Sequence, residues 1–366
     1  MIASTLQSEA DQLQAHFRDH APEYKFGAGP PPVDVSLLRA GPNACSRTYM
    51  FAVGSAANRV FVKVPVAPAQ PGGARPRVVP LPDFSKKHEL EYHALTAAQE
   101  HFQALGDPRF GAVRVLGHLV NPGAVIMEPV AHPTLAKLFR AVALRRMPPS
   151  SLLPVFENAG GWLQEWHSVP PTRYAVPRGE RREHLVVAVN SFVSFLTKVV
   201  GEVAALERIR AAIGPLSRQS LPEKLPLVLG HCDYGLPNIF VGPGNRVAGY
   251  DMTAAWRAPP YEDIGYFLTS MKTNRVMLAT AGLARRTVPI RQYEEAFLNG
   301  YFGEHRRPNG AIALFELVAL LDRWSALVAR AGHSSYVRLA TFSLSRAADH
   351  LLDAAAADDH TIEGYS

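Results

Sequence analysis

Two hydrophobic periods divide this chain. Val60, Val62, Val64 and Val66 recur at every second position, the period of a strand with one buried face, which puts Phe61 and Lys63 on the other face. From Thr134 onward apolar residues instead recur three and four apart, as in Leu152, Val155, Phe156, Ala159, Leu163 and Trp166, the stripe of a helix packed on one side. A chain that changes period in this way keeps its strands and its helices in separate regions, which predicts an α+β protein. With 366 residues and about 150 residues per domain, two units are expected. We place the division near residue 130, giving an N-terminal region 1–130 and a helical region 131–366.

Within the first region, apolar runs at Val35–Leu38, Arg47–Val53 and Arg59–Val66 are separated by Gly41-Pro42-Asn43 and by Gly54–Asn58, which predicts consecutive antiparallel strands. Residues 65–87 carry six prolines together with Gly72 and Gly73, a composition that propagates neither helix nor central strand. It predicts an exposed, mobile excursion. Ser85 is positioned to cap a helix whose buried stripe would be Leu90, His93, Ala94 and Ala97. Two further strands are expected at Val113–Leu119 and Ala124–Met127, the second leading into an extended Met127-Glu128-Pro129-Val130, since a residue before proline avoids helical angles.

In the helical region a second stripe runs through Phe192, Phe195, Leu196, Val199, Val203 and Leu206, and three or four helices are expected between Arg291 and Ala356, followed by a frayed polar tail from Asp358. The runs Phe192–Leu206 and Ala311–Leu321 are interrupted by Lys198, Glu202 and Glu316. They fall short of the roughly 18 residues that span a bilayer, so no membrane partner is expected. Hydrophobic content of 47% and charged content of 19% exclude a disordered or low-complexity chain. A net charge of +6 is too small and too dispersed for a dedicated nucleic-acid binder. Two cysteines, Cys45 and Cys232, rule out a disulfide framework and a thiolate zinc site and fit a cytoplasmic setting. The polar-interrupted N-terminus carries no expected leader.

A strand-rich island, Leu227–Asp251, interrupts the helices. A short strand ending at Leu229 delivers His231, Asp233 and Asn238, the strand Ile239–Val241 turns at Gly242-Pro243-Gly244-Asn245, and a third strand, Val247–Tyr250, delivers Asp251. Two aspartates and an asparagine at strand ends form an oxygen donor set suited to Mg²⁺ rather than to zinc or copper.

Here the sequence resembles the aminoglycoside phosphotransferase and choline kinase superfamily of small-molecule kinases. The resemblance rests on Gly230-His231-Cys232-Asp233-Tyr234-Gly235-Leu236-Pro237-Asn238, on Asp251 thirteen residues beyond Asn238, on Pro259-Pro260-Tyr261-Glu262-Asp263-Ile264-Gly265, and on the helix ending in Trp166-His167. It implies a two-lobed protein-kinase-like fold, with a small N-terminal antiparallel sheet lobe and a larger, mainly helical C-terminal lobe. It also implies ATP- or GTP-dependent, Mg²⁺-requiring phosphoryl transfer to a hydroxyl of a small molecule, by a monomer or homodimer. On that resemblance Asp233 orients and deprotonates the acceptor, Asn238 and Asp251 hold Mg²⁺, and Asp263 anchors the loop backbone with His231 as structural support. Lys63 binds the α/β-phosphates, held by Glu91 or by Glu89, and polar turn amides near Ser46 contact phosphate. Met127, Glu128 and Val130 form the adenine-binding hinge. The glycine-rich G-x-G-x-x-G is missing, and Met252-Thr253 follow Asp251 in place of Phe-Gly or Trp-Glu.

Blander readings stand beside these. Lys63 and Glu91 could be solvated surface charges, His167, Trp162 and Trp166 fit core packing, and nothing visible lowers the pKa of Cys232. The alternative to an enzyme is a catalytically silent, nucleotide-binding kinase-like scaffold. Arg257, Arg275, Arg285, Arg286, Arg291, Arg306 and Arg307 cluster between 257 and 310, which favours a neutral or anionic acceptor as much as a polycationic one.

Overall fold

A computed structural model describes residues 2–24, 31–43, 45–67, 75–80, 83–280, 283–331 and 335–357. They group into two compact units, one from Met1–Ala69, Leu81–Gly106 and Gly111–Ala131, the other from Gln70–Pro80, Asp107–Phe110 and His132–Ser366. In chain order the elements up to residue 131 are α1 (Ile2–His20), β1 (Val35–Pro42), β2 (Ser46–Val53), β3 (Ser55–Pro65), α2 (Lys87–Leu105), β4 (Phe110–Ala112), β5 (Val115–Leu119) and β6 (Ala124–Met127).

Five strands of the first unit form an antiparallel sheet in the order β1-β2-β3-β6-β5. The period-two face is its core: Val60, Val62 and Val64 are buried with Tyr49, Phe51 and Ile126 against Ala10, Leu13 and Phe17 of α1. Sequence reasoning passed over α1, because that segment was weighed only as a leader. The spacing of Ala10, Leu13 and Phe17 was the available signal. In α2 the buried stripe is His88, Glu91, Ala94, Leu95, Ala98 and Phe102, rotated from the predicted one so that an acidic residue lies on the packed face. Ser85 does not cap this helix: Lys86 holds the cap position without a side-chain bond, and the Ser85 hydroxyl donates to Asp83 at 2.6 Å.

The second unit contains α3 (Leu135–Ala143), α4 (Leu153–Ser168), β7 (Val176–Pro177), α5 (Arg182–Val200), α6 (Ala204–Ser220), β8 (Val228–Leu229), β9 (Ile239–Val241), β10 (Val247–Gly249), β11 (Trp256–Ala258), α7 (Pro260–Lys272), α8 (Arg275–Ala279), α9 (Ile290–Phe302), α10 (Asn309–Ala331) and α11 (Ser335–Ala357). Its core is aromatic. Phe156 stacks on Tyr293 at 4.3 Å and Phe267 on Phe297 at 4.0 Å, while Trp162, Trp166 and Trp324 are fully buried. Helices α4 and α9 approach until backbones touch: a Cβ on Gly160 would lie 2.0 Å from the Phe297 carbonyl, and one on Gly300 1.8 Å from that of Glu157. Only glycine permits this contact.

The stripe expected to run from Phe192 to Leu206 is two helices, because Gly201, at φ 84°, ends α5 and the chain restarts at Ala204. Helix α5 begins at Arg182, well before Phe192. At 19 residues it is the one helix among the described residues long and apolar enough to cross a membrane by length and composition. It packs on α6 and α10, with Leu185, Val189, Phe192, Val193 and Leu196 buried. Among the described residues between 291 and 356 the helices number three, α9 to α11. The described part of the proline-rich stretch is tethered rather than loose. Arg75 donates to Asp322 Oδ1 at 2.7 Å and Arg178 to the Val78 carbonyl at 2.9 Å. The predicted frayed tail lies outside the described residues.

Candidate active site

Lys63 sits in the middle of β3, opposite Thr48 on β2 and Val125 on β6, on the sheet face away from α1. Helix α2 packs over β3, β5 and β6 and carries Glu91 toward it. The Lys63 Nζ donates to Glu91 Oε1 at 2.6 Å with both side chains buried. A charge removed from water in this way requires a partner, and each supplies the other's. Glu89 lies instead within 3.9 Å of His93. Met127 is fully buried at the end of β6. The Glu128 amide donates to the Arg114 carbonyl at 2.9 Å, its carboxylate pairs with the Arg114 side chain, and Val130 is half-buried. Ser46 is buried where β2 begins, and its carbonyl accepts from the Asn43 amide at 2.7 Å, closing a tight β1–β2 hairpin.

In the second unit, β8 leads into a loop whose shape is set by Asp263 in the first turn of α7. Its two carboxylate oxygens accept from the His231 and Cys232 amides, each at 2.7 Å. Oδ2 also meets His167 Nε2 at 3.1 Å, and His167 Nδ1 meets the Tyr301 hydroxyl at 2.8 Å. Burial alone would raise the Asp263 carboxyl. The hydrogen bond and charge of His167 and the neighbouring His231 outweigh it, and the group sits below the usual carboxylate range. Cys232 holds the left-handed φ of 67°, and burial and the Asp263 charge push its thiol up, leaving it unreactive. His231 is pushed down to about 4, chiefly by burial and against the pull of Asp263 and Asp251. Its ring is neutral, packed edge-on against Trp162 and Tyr234, with both nitrogens buried and lacking hydrogen-bond partners.

Past this anchor the loop presents Asp233 half-buried. Asn238 Nδ2 donates to the Asp233 carbonyl and to its Oδ2, both at 2.9 Å, which leaves the amide oxygen of Asn238 free to accept or ligate. The β9–β10 hairpin returns the chain beside it, with the Tyr250 amide donating to the Asn238 carbonyl at 2.9 Å. Asp251 follows at φ 63°, a strained conformation of the kind concentrated at functional sites. The Asp233 carboxyl is pushed up to about 6, chiefly by burial and further by Asp251, against Arg323, Tyr266 and Asn238.

One carboxylate and one amide oxygen fit a hard cation that takes its remaining ligands from phosphates and water. No group of three or more His, Cys, Asp or Glu able to hold a metal occurs among the described residues. Sequence reasoning missed Tyr266 and Arg323, which α7 and α10 bring to Asp233. No local pattern links them to the loop.

The sequence matches the model of the phosphotransferase enzyme family over residues 76–307, more than half of the chain. The chain belongs to that family. Membership makes it a small-molecule phosphotransferase, and its architecture agrees with solved relatives of low identity. A choline/ethanolamine kinase family protein from Mesorhizobium loti superposes with a TM-score of 0.53 at 16% identity, covering 94% of this chain and 98% of that one. A macrolide 2'-phosphotransferase from Brachybacterium faecium gives 0.53 at 13% identity, covering 91% and 97%. A glucosamine kinase in complex with glucosamine, ADP and inorganic phosphate gives 0.54 at 14% identity, covering 91% and 83%. No curated protein matches significantly. At these identities the phosphotransferase shares the fold with its structural neighbours.

Proposed function

We propose that this phosphotransferase moves the γ-phosphoryl group of ATP or GTP to a hydroxyl of a small polar molecule such as a sugar, an amino alcohol, an antibiotic or a metabolite. The observation that carries the reading is the Asp233–Asn238 pair beside Asp251, on a loop whose amides are pinned by Asp263. Asp233 is the general base: it accepts the acceptor hydroxyl's proton as the oxygen attacks phosphorus. A carboxyl raised to about 6 remains largely ionised at neutral pH yet lies closer to the working pH than a free aspartate. The hydrogen bond from Asn238 fixes its orientation.

Asn238 Oδ1 and the Asp251 carboxylate would hold Mg²⁺, which when bound neutralises charge developing on the phosphate oxygens. Lys63, kept in place by Glu91, would bind the α/β-phosphates, and the amides around Ser46 would add donors. The segment from Met127 through Glu128 to Val130 would meet the base of the nucleotide. His231 supports the loop as a neutral ring, and Asp263 acts only through the loop amides. The test is ADP formation by purified protein given ATP, Mg²⁺ and pooled hydroxylated metabolites. Acceptor-dependent turnover that Asp233→Asn lowers by at least about a thousandfold is expected, and an Asp233→Asn variant with undiminished turnover removes the assignment.

A further inference from the structure

We infer that Arg323 binds an anionic group of the acceptor, so that the acceptor is a hydroxyl compound bearing a carboxylate or phosphate close to the hydroxyl that is phosphorylated. This rests on the reading of Asp233 given above and adds the charge of the molecule placed beside it.

Arg323 stands on α10 with its guanidinium carbon 4.4 Å from the centroid of the Tyr266 ring, and the hydroxyl of that tyrosine lies beside Asp233. The stacking fixes the plane of the guanidinium without using its hydrogens, as arginine is suited to do where planar anions are bound. Among the described residues Arg323 has no salt bridge, and its Nε is buried without a hydrogen-bond partner. A half-buried cation left in this state is costly unless something completes it.

The neighbouring groups are already balanced. Asp322, next in sequence and the obvious counterion, is bound to Arg75 at 2.7 Å with both side chains largely buried. Arg178 is likewise committed to Glu262. The Asp322 carboxylate is thus shared with the tether of the proline-rich stretch, and it acts on Arg323 without a salt bridge to it. Asp233 and Asp322 act on Arg323 only as charges in its surroundings, and among the described residues neither forms a salt bridge with it.

Five of the arginines that the sequence singled out do not have this position. Arg275, Arg286, Arg291 and Arg306 are exposed, and Arg307 is paired with Glu295. None of them is among the charges acting on Asp233. A bidentate Arg–carboxylate or Arg–phosphate contact both orients its ligand and rejects a cationic isostere, which makes Arg323 a specificity-determining residue.

The experiment compares matched acceptors by ATP consumption: glycerate with glyceramide, gluconate with gluconamide, and the cations choline and glucosamine. The wild type is expected to show kcat/KM at least tenfold higher for an acid than for its amide. Arg323→Gln is expected to bring that ratio within about twofold, and Arg323→Lys to retain part of it. Because the readout is a ratio, a general loss from altered Asp233 cancels. Calorimetric titration of the same acids, with ADP and Mg²⁺ present, reads the residue without turnover. Parity of acid and amide in the wild type, a ratio unmoved in Arg323→Gln, preference for a cation, or no Arg323-dependent binding of any acid overturns the assignment. A protein that neither binds nor hydrolyses ATP instead sinks the phosphotransferase reading of Asp233, so the two failures are distinct.

Discussion

Replacing Asp263 by asparagine keeps the shape of the side chain and removes one acceptor and a charge from the point where three donors converge. The remaining oxygen is best placed where Oδ2 was, serving the His231 amide and His167 Nε2. The new amide group then faces the Cys232 amide, donor against donor, where a 2.7 Å bond had been. Losing one charge-assisted bond costs about 2 kcal/mol, and turning two others into neutral bonds costs about 1 kcal/mol each. Relief from burying a charge returns part of this, leaving about 2–4 kcal/mol of net destabilisation. Trp162, Trp166, Trp256 and Trp324 are all in the second unit, so tryptophan fluorescence in a urea titration reports on that unit. A lower midpoint at unchanged slope is expected. Because the native carboxyl is held below the ordinary range, its contribution is present above the unfolded value and is lost as pH falls through the native one. The gap between wild type and variant therefore closes in acid. A shift worth less than about 1 kcal/mol at neutral pH refutes the account of Asp263 as the loop's anchor.

Lys63→Met removes the ammonium that donates to the buried Glu91 carboxylate and is expected to destabilise the first unit by about 3–5 kcal/mol. Adding Glu91→Leu should recover most of it, with hydrogen exchange of β3 and β6 amides as the readout; equal losses in the single and double variants contradict a true buried pair. Gly300→Ala forces a methyl to within 1.8 Å of the Glu157 carbonyl. It should cost about 3 kcal/mol by opening α4 from α9, and a melting temperature within about 1 °C of wild type would contradict the close approach. His231, pushed down to about 4 by burial, stays neutral where an unfolded histidine protonates near pH 6.5. Stability should thus be full above pH 6.5 and fall by about 3 kcal/mol toward pH 4. His231→Phe should lack that part of the acid loss, and identical pH profiles in variant and wild type would show that the ring is not the titrating group.

Much of the molecule is legible in one dimension because its signals are local. The alternation through Val60 and Val64 identifies a strand and its buried face, and the spacing of Leu152, Phe156, Leu163 and Trp166 does the same for α4. Gly242-Pro243-Gly244-Asn245 marks the hairpin between β9 and β10. Helix α1 was equally legible in Ala10, Leu13 and Phe17 and was overlooked, whereas the rotated stripe of α2 was not readable. Propensity and pattern place Glu91 on the wet side of that helix, whereas in the fold it is buried against a lysine from a strand 28 residues away.

Order along the chain determines which residue types reach which strand ends, and so the spacing of Asp233, Asn238, Asp251 and Asp263 sufficed for the resemblance to the phosphotransferase family that the family model shows. Tertiary structure decided the charge environment. That Arg75 binds Asp322, that Arg323 lies against Tyr266 beside Asp233, and that Asp263 faces two amides are consequences of helices and loops far apart in sequence being packed together. Coulomb and hydrogen-bond energies depend on separation in space, and the chain's linear order carries no measure of that separation.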